Sequence, residues 1–244
     1  MYVSLDSFYK NLDEIWVIAR RKERLEALAK ESRVPLRIFA GDLQKKKVYK
    51  ELRDALEKEQ PDLRMLVNSA GFGKSGSVEE ILSEKFRIQT DMVDVNCRSL
   101  TRMTLLCLPF LRAGSRIVNL ASASAFCPQP YFSVYVATKS YVLSFSRSLG
   151  EELRKKGIVV TAVCPGPVDT EFFDFFRKTR EYIKASDNGQ SRQSGSSGTE
   201  GHQSRESSFC LWNTNEIDLF RNKTAATRTT RSYAELVNIK FRTG

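Results

Sequence analysis

A serine, a tyrosine and a lysine in the middle of the chain have the types and spacing of an acid–base catalyst. Ser122 follows a predicted strand, Tyr135 lies 13 residues later, and Lys139 follows Tyr135 at i+4 on a predicted helix. This spacing places the phenol and the ammonium on one helix face, one turn apart. A free tyrosine has a pKa of about 10, and an adjacent cation lowers it by favouring the phenolate. A nearby serine hydroxyl can hold a carbonyl or alcohol oxygen where charge develops.

The elements that must position these residues are short apolar runs alternating with amphipathic stretches. The predicted strands are Ile15–Ala19, Leu36–Ala40, Met65–Asn68, Arg116–Leu120 and Ile158–Cys164. The predicted helices are Lys22–Ser32, Lys46–Glu59, Val78–Arg87, Met92–Leu111 and Ser133–Lys156, the last with Gly157 as its C-cap. This alternation predicts an α/β fold with a doubly wound, Rossmann-like parallel sheet that binds ligands at the carboxyl ends of its strands.

The composition favours a soluble cytoplasmic protein. Of the 244 residues 41% are apolar, and the mean hydropathy is −0.37. The longest apolar stretch, Met103–Leu111, is too short to span a bilayer. The sequence has no secretory signal pattern. We therefore expect a cytoplasmic location and no membrane partner.

The cysteines and the single histidine argue against several classes of site. The five cysteines are scattered without C-x-x-C spacing, which argues for a reducing compartment and against a disulfide framework or a zinc site. His202 is the only histidine, so hydrolase triads and histidine-based metal sites lack their imidazole. We expect no metal.

The net charge of +10 raises the question of a nucleic-acid partner. The basic residues are spread over the predicted helices and the tail, without a long basic block or interleaved aromatics. A phosphate-rich cofactor would account for some of the local charge. We expect no specific nucleic-acid partner, and binding of anionic partners by the basic tail 221–242 is the weaker alternative.

Six short motifs carry a resemblance to a known family. In chain order they are Gly41-Asp42-Leu43, Asn68-Ser69-Ala70-Gly71, Asp94-Val95-Asn96, Ser122, Tyr135-Val136-Ala137-Thr138-Lys139 and Pro165-Gly166-Pro167-Val168-Asp169-Thr170. A lone Y-x-x-x-K pair is a weak signal, whereas six motifs in order, each at a predicted strand end or on the expected helix, are specific. Over about residues 12–175 the chain resembles the short-chain dehydrogenase/reductase family.

The resemblance implies an enzyme that interconverts a ketone and a secondary alcohol by hydride transfer with a nicotinamide, without a metal. Tyr135 would be the general acid in reduction and the general base in oxidation. Lys139 would lower the pKa of Tyr135 and bind the nicotinamide ribose. Ser122 would orient the substrate oxygen, and Asn96 would hold a water in a proton relay to Lys139.

The same resemblance implies a dinucleotide site along the strand ends. Its expected residues are Arg20, Arg21, Asp42, Leu43, Asn68, Ala70, Gly71, Tyr135, Lys139, Pro165, Gly166, Val168 and Thr170. Arg20-Arg21-Lys22 follow the first predicted strand, where arginine accommodates the 2′-phosphate of NADP and an acidic residue would read NAD. A basic helix start also opposes the helix dipole, which suggests a use for the charge. We expect NADP, with NAD as the alternative.

A second glycine-rich segment imitates a dinucleotide fingerprint. Residues 71–76 spell G-x-G-x-x-G after a predicted strand. The true fingerprint belongs to the first βα turn, about 20 residues before the residue that reads the ribose. Here the candidate reader, Arg20, lies upstream instead. We therefore interpret residues 71–76 as a loop that lines the cofactor cleft.

The chain departs from the family's pattern at its start. The family's first strand and glycine-rich turn should lie well upstream of Arg20, and Met1–Asp13 contains no glycine. We expect a truncated sheet without this central strand, which leaves two buried strands lacking their ladder partner. The helix N-terminus that binds the pyrophosphate would be missing as well. A substitute strand at Tyr2–Leu5 is the less favoured alternative.

The predicted organisation has three parts. They are an incomplete Rossmann-like catalytic domain over 1–184, a flexible Ser/Gly-rich linker over 185–208 and an unassigned basic segment over 209–244. The linker has no large apolar side chain with which to offset its ordering entropy. Before it, Glu171–Tyr182 carries four phenylalanines. They suit a bulky apolar substrate such as a steroid or an acyl chain, although a helix packing face explains them equally well.

Two functions compete on this evidence. The first is an active NADP-dependent oxidoreductase acting on a small-molecule ketone or alcohol. The second is a non-catalytic member that keeps the fold and dimerises. In the family the helices corresponding to Met92–Leu111 and Ser133–Lys156 commonly build the subunit interface, so we expect a homodimer or homotetramer. Cofactor binding separates the two functions.

Overall fold

The computed structural model describes residues 12–84, 86–166, 209–213, 216–220 and 237–242, with side chains described up to residue 166. Its strands are β1 (Glu14–Ala19), β2 (Leu36–Ala40), β3 (Asp62–Asn68), β4 (Leu111–Leu120), β5 (Val159–Pro165), β6 (Phe209–Asn213), β7 (Glu216–Phe220) and β8 (Val237–Arg242). Its α-helices are α1 (Lys22–Glu31), α2 (Lys46–Glu59), α3 (Val78–Glu84), α4 (Ile88–Val93), α5 (Leu100–Cys107) and α6 (Ser133–Arg154). All five predicted strands and the predicted helices are present, with shifted ends.

The helices follow from apolar spacing and from local end signals. Helix α2 buries Val48, Leu52 and Leu56, which recur every four residues. Helix α3 begins with a capping box, in which Ser77 Oγ accepts from the backbone N–H of Glu80 and the Glu80 carboxylate accepts from the backbone N–H of Ser77. These local signals explain why the helix positions could be predicted from the sequence.

The helix predicted at Met92–Leu111 is not one continuous α-helix, and Leu111 belongs to a strand. A π-helical turn, Asp94–Ser99, joins α4 to α5, and a 3-10 turn, Leu108–Phe110, follows α5. The 3-10 turn contains Pro109, whose missing N–H and fixed φ oppose continuation of a helix. Strand β4 therefore starts at Leu111, which pairs with Leu63 of β3, and not at Arg116 as predicted.

The sheet has the order β2-β1-β8-β3-β4-β5-β6-β7. Pairs β1–β2, β3–β4 and β4–β5 are parallel. Strands β6, β7 and β8 each pair antiparallel with their neighbours. The prediction of a parallel Rossmann-like sheet is therefore confirmed for β1 to β5, and the segment 209–244 adds three antiparallel strands to the same sheet. The predicted linker 185–208 lies outside the described residues.

Strand β8 occupies the central position between β1 and β3. Val237 pairs with both Ile18 and Asn68, and Ile239 pairs with both Trp16 and Leu66. The expectation that these two buried strands lack a ladder partner is therefore wrong. The C-terminal strand supplies the pairing in the antiparallel direction, so that it begins at the edge where β1 and β3 end. The alternative strand Tyr2–Leu5 lies outside the described residues.

Alternate residues of β1 pack on opposite faces of the sheet. Trp16 and Ile18 belong to the main core cluster, together with Leu52 of α2. Val17 packs with Leu25 of α1 in a separate cluster. Helices therefore cover both faces, as the doubly wound prediction requires. In the described part of the chain, none of the helices has the length and apolar content needed to cross a membrane.

Candidate active site

The carboxyl ends of the parallel strands bring the predicted catalytic residues to one edge of the sheet. Strand β4 ends at Leu120, and Ser122 follows it at the start of a 3-10 turn, Ala123–Phe126. Helix α6 begins at Ser133 and carries Tyr135 and Lys139 in its first two turns. The helix keeps this position because one stripe of its residues is buried along its whole length.

Ser122 and Tyr135 lie in direct contact. Their side chains share a hydrogen bond, and Ser122 Oγ also accepts from the backbone N–H of Ser124 at 3.2 Å. Tyr135 is 6% exposed, and its ring packs against Phe132 at a centroid distance of 4.3 Å. The phenol oxygen is therefore held beside a second hydroxyl at the end of β4.

Lys139 is buried beneath this pair. Its Nζ donates to the backbone carbonyl of Leu120 at 2.8 Å and lies 5.7 Å from the centroid of the Tyr135 ring. Burial lowers the pKa of Lys139 to about 8, and the thiols of Cys97 and Cys164 raise it in part. The lysine therefore changes charge close to neutral pH, whereas an ordinary lysine titrates near 10.5.

The pKa of Tyr135 moves against the expectation from the sequence. Burial raises it to about 12, and the hydrogen bond from Ser122 lowers it only in part. The physical reason is desolvation, which penalises the phenolate in a site that is almost closed to water. The Lys139 ammonium is directed at the Leu120 carbonyl. The predicted lowering by Lys139 is therefore not seen in the described arrangement.

Asn96 lies on the π-helical turn and fixes the loop after β3. Its Oδ1 accepts from the backbone N–H of Phe72 at 3.0 Å, and its Nδ2 donates to the backbone carbonyl of Phe72 at 2.9 Å. Nδ2 also donates to Thr138 Oγ1 on α6 at 3.0 Å. A π-helical turn at such a position is typical of functional sites. The water relay to Lys139 stays a prediction, and the contacts of the Asn96 carboxamide clamp two segments of the site together.

Gly71 is the point at which this loop approaches the catalytic residues. A Cβ added at Gly71 would lie 2.9 Å from Asn96 Oδ1 and 3.5 Å from Lys139 Nζ. Only a residue without a side chain fits this approach. The loop that contains Gly71 follows β3, as interpreted from the sequence, and it does not follow the first strand as a fingerprint would. It also approaches Lys139. That this loop lines a cofactor cleft stays a prediction.

Asn68 was predicted to contact the cofactor, and its side chain lies elsewhere. It is 3% exposed and donates to Thr104 Oγ1 at 3.1 Å and to Asn119 Oδ1 at 2.9 Å. Asn119 in turn donates to Ser146 Oγ at 2.9 Å. Sequence reasoning missed Thr104, Asn119 and Ser146. Their signal was available, because each is a polar residue on an otherwise apolar, buried face.

The expected adenosine end of the site lies at the ends of β1 and β2. Arg20 is exposed and Arg21 half-buried directly after β1. Gly41 donates its N–H to the carbonyl of Ala19 at 2.9 Å, which ties the two strand ends together. Asp42 Oδ1 accepts from the backbone N–H of Gln44 at 2.9 Å and holds the following turn.

The remaining predicted cofactor residues have mixed positions. The side chain of Leu43 is 7% exposed and packs in the main core cluster, so it does not face the strand-end edge. Ala70, Pro165 and Gly166 are half-buried at the ends of β3 and β5. Val168 and Thr170 lie outside the described residues. The structure therefore brings Ser122, Tyr135, Lys139, Asn96 and Gly71 together, and it places Arg20, Arg21 and Asp42 farther along the same edge.

Known proteins are similar to this chain in sequence and in fold. Relatives include an uncharacterised oxidoreductase of Staphylococcus epidermidis, 30% identical over 158 residues, with 64% of this chain and 67% of the relative covered. A very-long-chain 3-oxoacyl-CoA reductase of Danio rerio is 34% identical over 164 residues, with 64% of this chain and 50% of the relative covered. The chain thus spans about half to two thirds of the length of these relatives.

Among solved structures, the fold is similar to 3-ketoacyl-(acyl-carrier-protein) reductase from Brucella melitensis, which was determined in complex with NADH. The two chains are 29% identical with a TM-score of 0.58, covering 69% of this chain and 71% of the other. The family model for short chain dehydrogenases matches residues 6–181. That match takes in the ends of β1 to β5 and the whole Ser122–Tyr135–Lys139 cluster, and on this evidence the chain belongs to the short-chain dehydrogenase/reductase family of oxidoreductases.

Proposed function

We propose that the chain is an NAD(P)-dependent oxidoreductase that interconverts a ketone and a secondary alcohol, with Tyr135 as the general acid and base. The observation that carries the proposal is the contact of Ser122 with Tyr135 above a buried Lys139 at the carboxyl edge of the sheet. An ionisable pair with shifted pKa values in a strand-end position is typical of a catalytic site.

Three side chains of the site share the proton transfer and the binding of the substrate oxygen. In reduction, Tyr135 gives its phenolic proton to the substrate oxygen, and Ser122 holds that oxygen by a hydrogen bond. The hydrogen bond from Ser122 favours the phenolate that remains. The ammonium of Lys139 then gives a proton back to the phenolate, and the neutral lysine takes up a proton from solvent. A reduced nicotinamide bound beside Tyr135 and Lys139 would supply the hydride for the carbonyl carbon and would itself be oxidised. Oxidation of the alcohol is the reverse of each step.

The described residues fit a nicotinamide dinucleotide at two of its parts. Gly71 has no side chain where a Cβ would lie 3.5 Å from Lys139 Nζ, so a ribose hydroxyl directed at the lysine would meet no side chain of this residue. Asp42 lies after β2 at the adenosine end. Arg20 and Arg21 follow β1, and their guanidinium groups suit the 2′-phosphate of NADP. We propose NADP as the preferred cofactor on this ground.

A non-catalytic role is the second candidate, and the direction of β8 favours it. In a βαβ unit the helix that follows the central parallel strand offers its N-terminus to the diphosphate. Strand β8 is antiparallel and ends at the opposite edge of the sheet. It therefore cannot lead into such a helix, and the diphosphate must find other donors. If none exist, the chain keeps the fold without binding the cofactor.

The substrate that we propose is a small molecule with a bulky apolar part. The Danio rerio relative is named as a very-long-chain 3-oxoacyl-CoA reductase. Phe126 lies four residues after Ser122, at the end of the 3-10 turn, and its side chain is 54% exposed, so it offers apolar surface at this edge of the sheet. The aromatic segment 171–182, which suggested such a substrate from the sequence, lies outside the described residues.

We also propose a homodimer or homotetramer in the cytoplasm. Leu105 on α5 is 60% exposed, and Tyr141 on α6 is 41% exposed. Thr101 Oγ1 and the Tyr141 hydroxyl lie 2.7 Å apart, which places these two outer helix faces side by side. An apolar patch of this kind suits contact with a second copy.

The proposal is tested by titrating the purified chain with NADPH and with NADH while following nicotinamide fluorescence. Micromolar binding of NADPH, and weaker binding of NADH, is expected. A folded chain that binds neither dinucleotide would favour the non-catalytic role. Arg20→Ala with Arg21→Ala should weaken NADPH binding and leave NADH binding almost unchanged, because only NADP carries the 2′-phosphate.

A further inference from the structure

A set of buried polar side chains crosses the core directly beneath the catalytic residues. Asn68 Nδ2 donates to Asn119 Oδ1 at 2.9 Å, and Asn119 Nδ2 donates to Ser146 Oγ at 2.9 Å. A branch runs from Asn68 Nδ2 to Thr104 Oγ1 at 3.1 Å. The four side chains are between 0% and 3% exposed. We call these four residues the buried polar network.

The hydrogen bonds of this network run outwards from Asn68 without ambiguity. Both Nδ2 hydrogens of Asn68 are used, so its partners must accept. Thr104 passes its own hydrogen to the carbonyl of Leu100 at 2.9 Å, and Ser146 passes its hydrogen to the carbonyl of Val142 at 2.6 Å. Each hydroxyl therefore accepts one bond and donates one, which fixes the relative positions of its neighbours.

The network is costly compared with an apolar core. Burying amides and hydroxyls is unfavourable unless their bonds are made. Among the described residues, Asn68 Oδ1 is buried and has no hydrogen-bond partner. An apolar set of similar volume would avoid this penalty. The network therefore calls for an explanation beyond stability.

Two members of the network lie on strands that lead to the site. Asn68 closes β3 three residues before Gly71, and Asn119 lies on β4 three residues before Ser122. Asn119 also adjoins Leu120, whose carbonyl receives the ammonium of Lys139. A shift of either asparagine would therefore displace a residue of the site that lies only three positions farther along the same strand end.

The other two members lie on helices that carry catalytic residues. Thr104 follows Asn96 by eight residues on the continuous stretch from the π-helical turn into α5. Ser146 follows Lys139 by seven residues on α6. Seven or eight residues are about two helical turns, so each hydroxyl lies on the same helix face as its catalytic partner. Each of the four elements is thus held at one point below the site.

We propose that the buried polar network positions the catalytic residues by fixing the register of β3, β4, α5 and α6 against one another. The inference rests on the proposed oxidoreductase function. Thr104, Asn119 and Ser146 touch none of the reacting atoms, and they act through Asn96, Ser122 and Lys139. They are therefore positioning residues, and their loss should affect the chemical step more than binding.

The test uses two substitutions of similar volume and one matched control. Asn119→Leu removes an acceptor and a donor from the centre of the network. Thr104→Val removes the hydroxyl that accepts from Asn68 and donates to the Leu100 carbonyl. Thr104→Ser keeps the hydroxyl and should restore function. Ser115→Ala is the control, because Ser115 is fully buried and donates to the Leu63 carbonyl at 2.7 Å. It joins the same two strands at the opposite edge of the sheet.

We expect Asn119→Leu to lower kcat by about 10-fold or more, since small misplacements of reacting groups have effects of that order. Thr104→Val should lower kcat less, Thr104→Ser should be close to the wild type, and KM for the cofactor should change little. Ser115→Ala should lower Tm and leave kcat unchanged. The proposal is overturned if Asn119→Leu and Thr104→Val lower Tm alone, as the control does. Where Asn119→Leu does not fold, the Thr104 pair carries the comparison.

A readout that needs no turnover separates this proposal from the proposed function. The side-chain NMR titration of Lys139 reports its surroundings, to which Cys97 on the π-helical turn, Cys164 on β5 and Tyr135 on α6 contribute. In Asn119→Leu the midpoint should move towards the ordinary lysine value, while Ser115→Ala keeps the wild-type midpoint. An unchanged midpoint in Asn119→Leu would overturn the positioning role. A wild-type chain without turnover would instead overturn the proposed oxidoreductase function. The NMR comparison would then still test the positioning role of the buried polar network.

Discussion

Tyr135 and Lys139 lie one helical turn apart, and burial acts on their pKa values in opposite directions. It raises the pKa of Tyr135 to about 12 and lowers that of Lys139 to about 8. Each shift favours the neutral form of the group. Burial therefore disfavours the phenolate–ammonium ion pair that the sequence spacing of Tyr135 and Lys139 suggests. The contact of Tyr135 with Ser122 is the interaction that favours the phenolate.

The buried lysine should cost stability at neutral pH. Its pKa is lowered from 10.5 to about 8 in the folded chain, so the unfolded chain binds more protons between these values. The free energy of unfolding contributed by Lys139 therefore rises as pH increases from 8 to 10.5, and a shift of this size corresponds to roughly 3 kcal/mol. In Lys139→Met this pH-dependent contribution is absent.

Urea unfolding of Lys139→Met and of the wild type at several pH values measures the effect. The stability of the variant relative to the wild type should be greatest below pH 8 and should decline towards pH 10.5. Taking the difference between the two proteins removes the contribution of Cys107, whose pKa is raised by burial alone. Cys97 is coupled to Lys139 by charge, so its change belongs to the measured effect of the lysine. A difference that does not change with pH would show that Lys139 is not desolvated as described.

A side chain at Gly71 should disturb the catalytic residues. In Gly71→Ala the new Cβ would lie 2.9 Å from Asn96 Oδ1, so the loop or the asparagine must move. We expect a loss of stability of about 1–3 kcal/mol, as is usual for overpacking, and a fall in turnover because Asn96 and Lys139 are displaced together. Thermal unfolding and kcat measured on one preparation check both effects. Full activity at wild-type stability would mean that the loop is looser than described.

The sequence could predict some of these residues and not others, for a physical reason. Tyr135 and Lys139 follow from helical spacing, which fixes the face that both share. Asn68 and Leu43 were assigned to the cofactor by motif, and both side chains are buried in the core. At the end of a strand a side chain points to one face or the other according to its register, and pairing with neighbouring strands sets that register. A sequence motif alone therefore does not determine which way the side chain at a strand end points.

Strand β8 is the element that the sequence could least predict. Helix α2 could be placed from its own leucines, because helical periodicity is local. The six residues of β8 have no clear pattern, and their partners lie about 170 to 230 residues earlier in the chain. The pairing places the ends of β1 and β3 two strand spacings apart, about 10 Å. The adenosine end and the nicotinamide end of the expected dinucleotide site therefore lie along the same edge of the sheet.

A proline in β8 tests its role in the sheet. Ile239 pairs with Trp16 on one side and with Leu66 on the other. Ile239→Pro removes a backbone N–H from a central strand, at a cost of about 1–3 kcal/mol. Amide hydrogen exchange should then speed up in β1 and β3, while the β4–β5 pairing stays protected.

Ile239→Ala is the matched control, because it shortens the side chain and keeps the N–H. Its exchange pattern in β1 and β3 should remain closer to the wild type. Equal protection of β1 and β3 in the proline variant and in the wild type would show that β8 does not occupy the central position in solution.

At the scale of the whole molecule, the outer faces of α5 and α6 form the surface proposed for a second copy. Leu105 and Tyr141 are exposed there, next to the contact between Thr101 and Tyr141. The apolar content of the sequence predicts that the chain has a core. It does not predict that the core forms around one mixed sheet, because that depends on strand pairings between distant parts of the chain. Which apolar residues stay exposed is decided only when those pairings are known.

Leu105→Asp should therefore weaken self-association. A carboxylate in an apolar contact between copies is costly to desolvate. Leu82→Asp is the control, since Leu82 on α3 is 52% exposed and lies on a different helix. Sedimentation velocity at several concentrations should show a shift to smaller species for Leu105→Asp alone. Equal behaviour of the two variants would place the contact surface elsewhere, or show that the chain is monomeric.

The central claim is that Tyr135 transfers the proton in a nicotinamide-dependent reduction. Single-turnover oxidation of NADPH by excess enzyme with a bulky ketone, compared between the wild type and Tyr135→Phe, tests it most directly. We expect stoichiometric loss of nicotinamide absorbance in the wild type and at least a 100-fold slower loss in the phenylalanine variant, the size of effect typical of a general acid. Equal rates in the two proteins, or NADPH binding without any turnover, would contradict the assignment of Tyr135 as the catalytic acid.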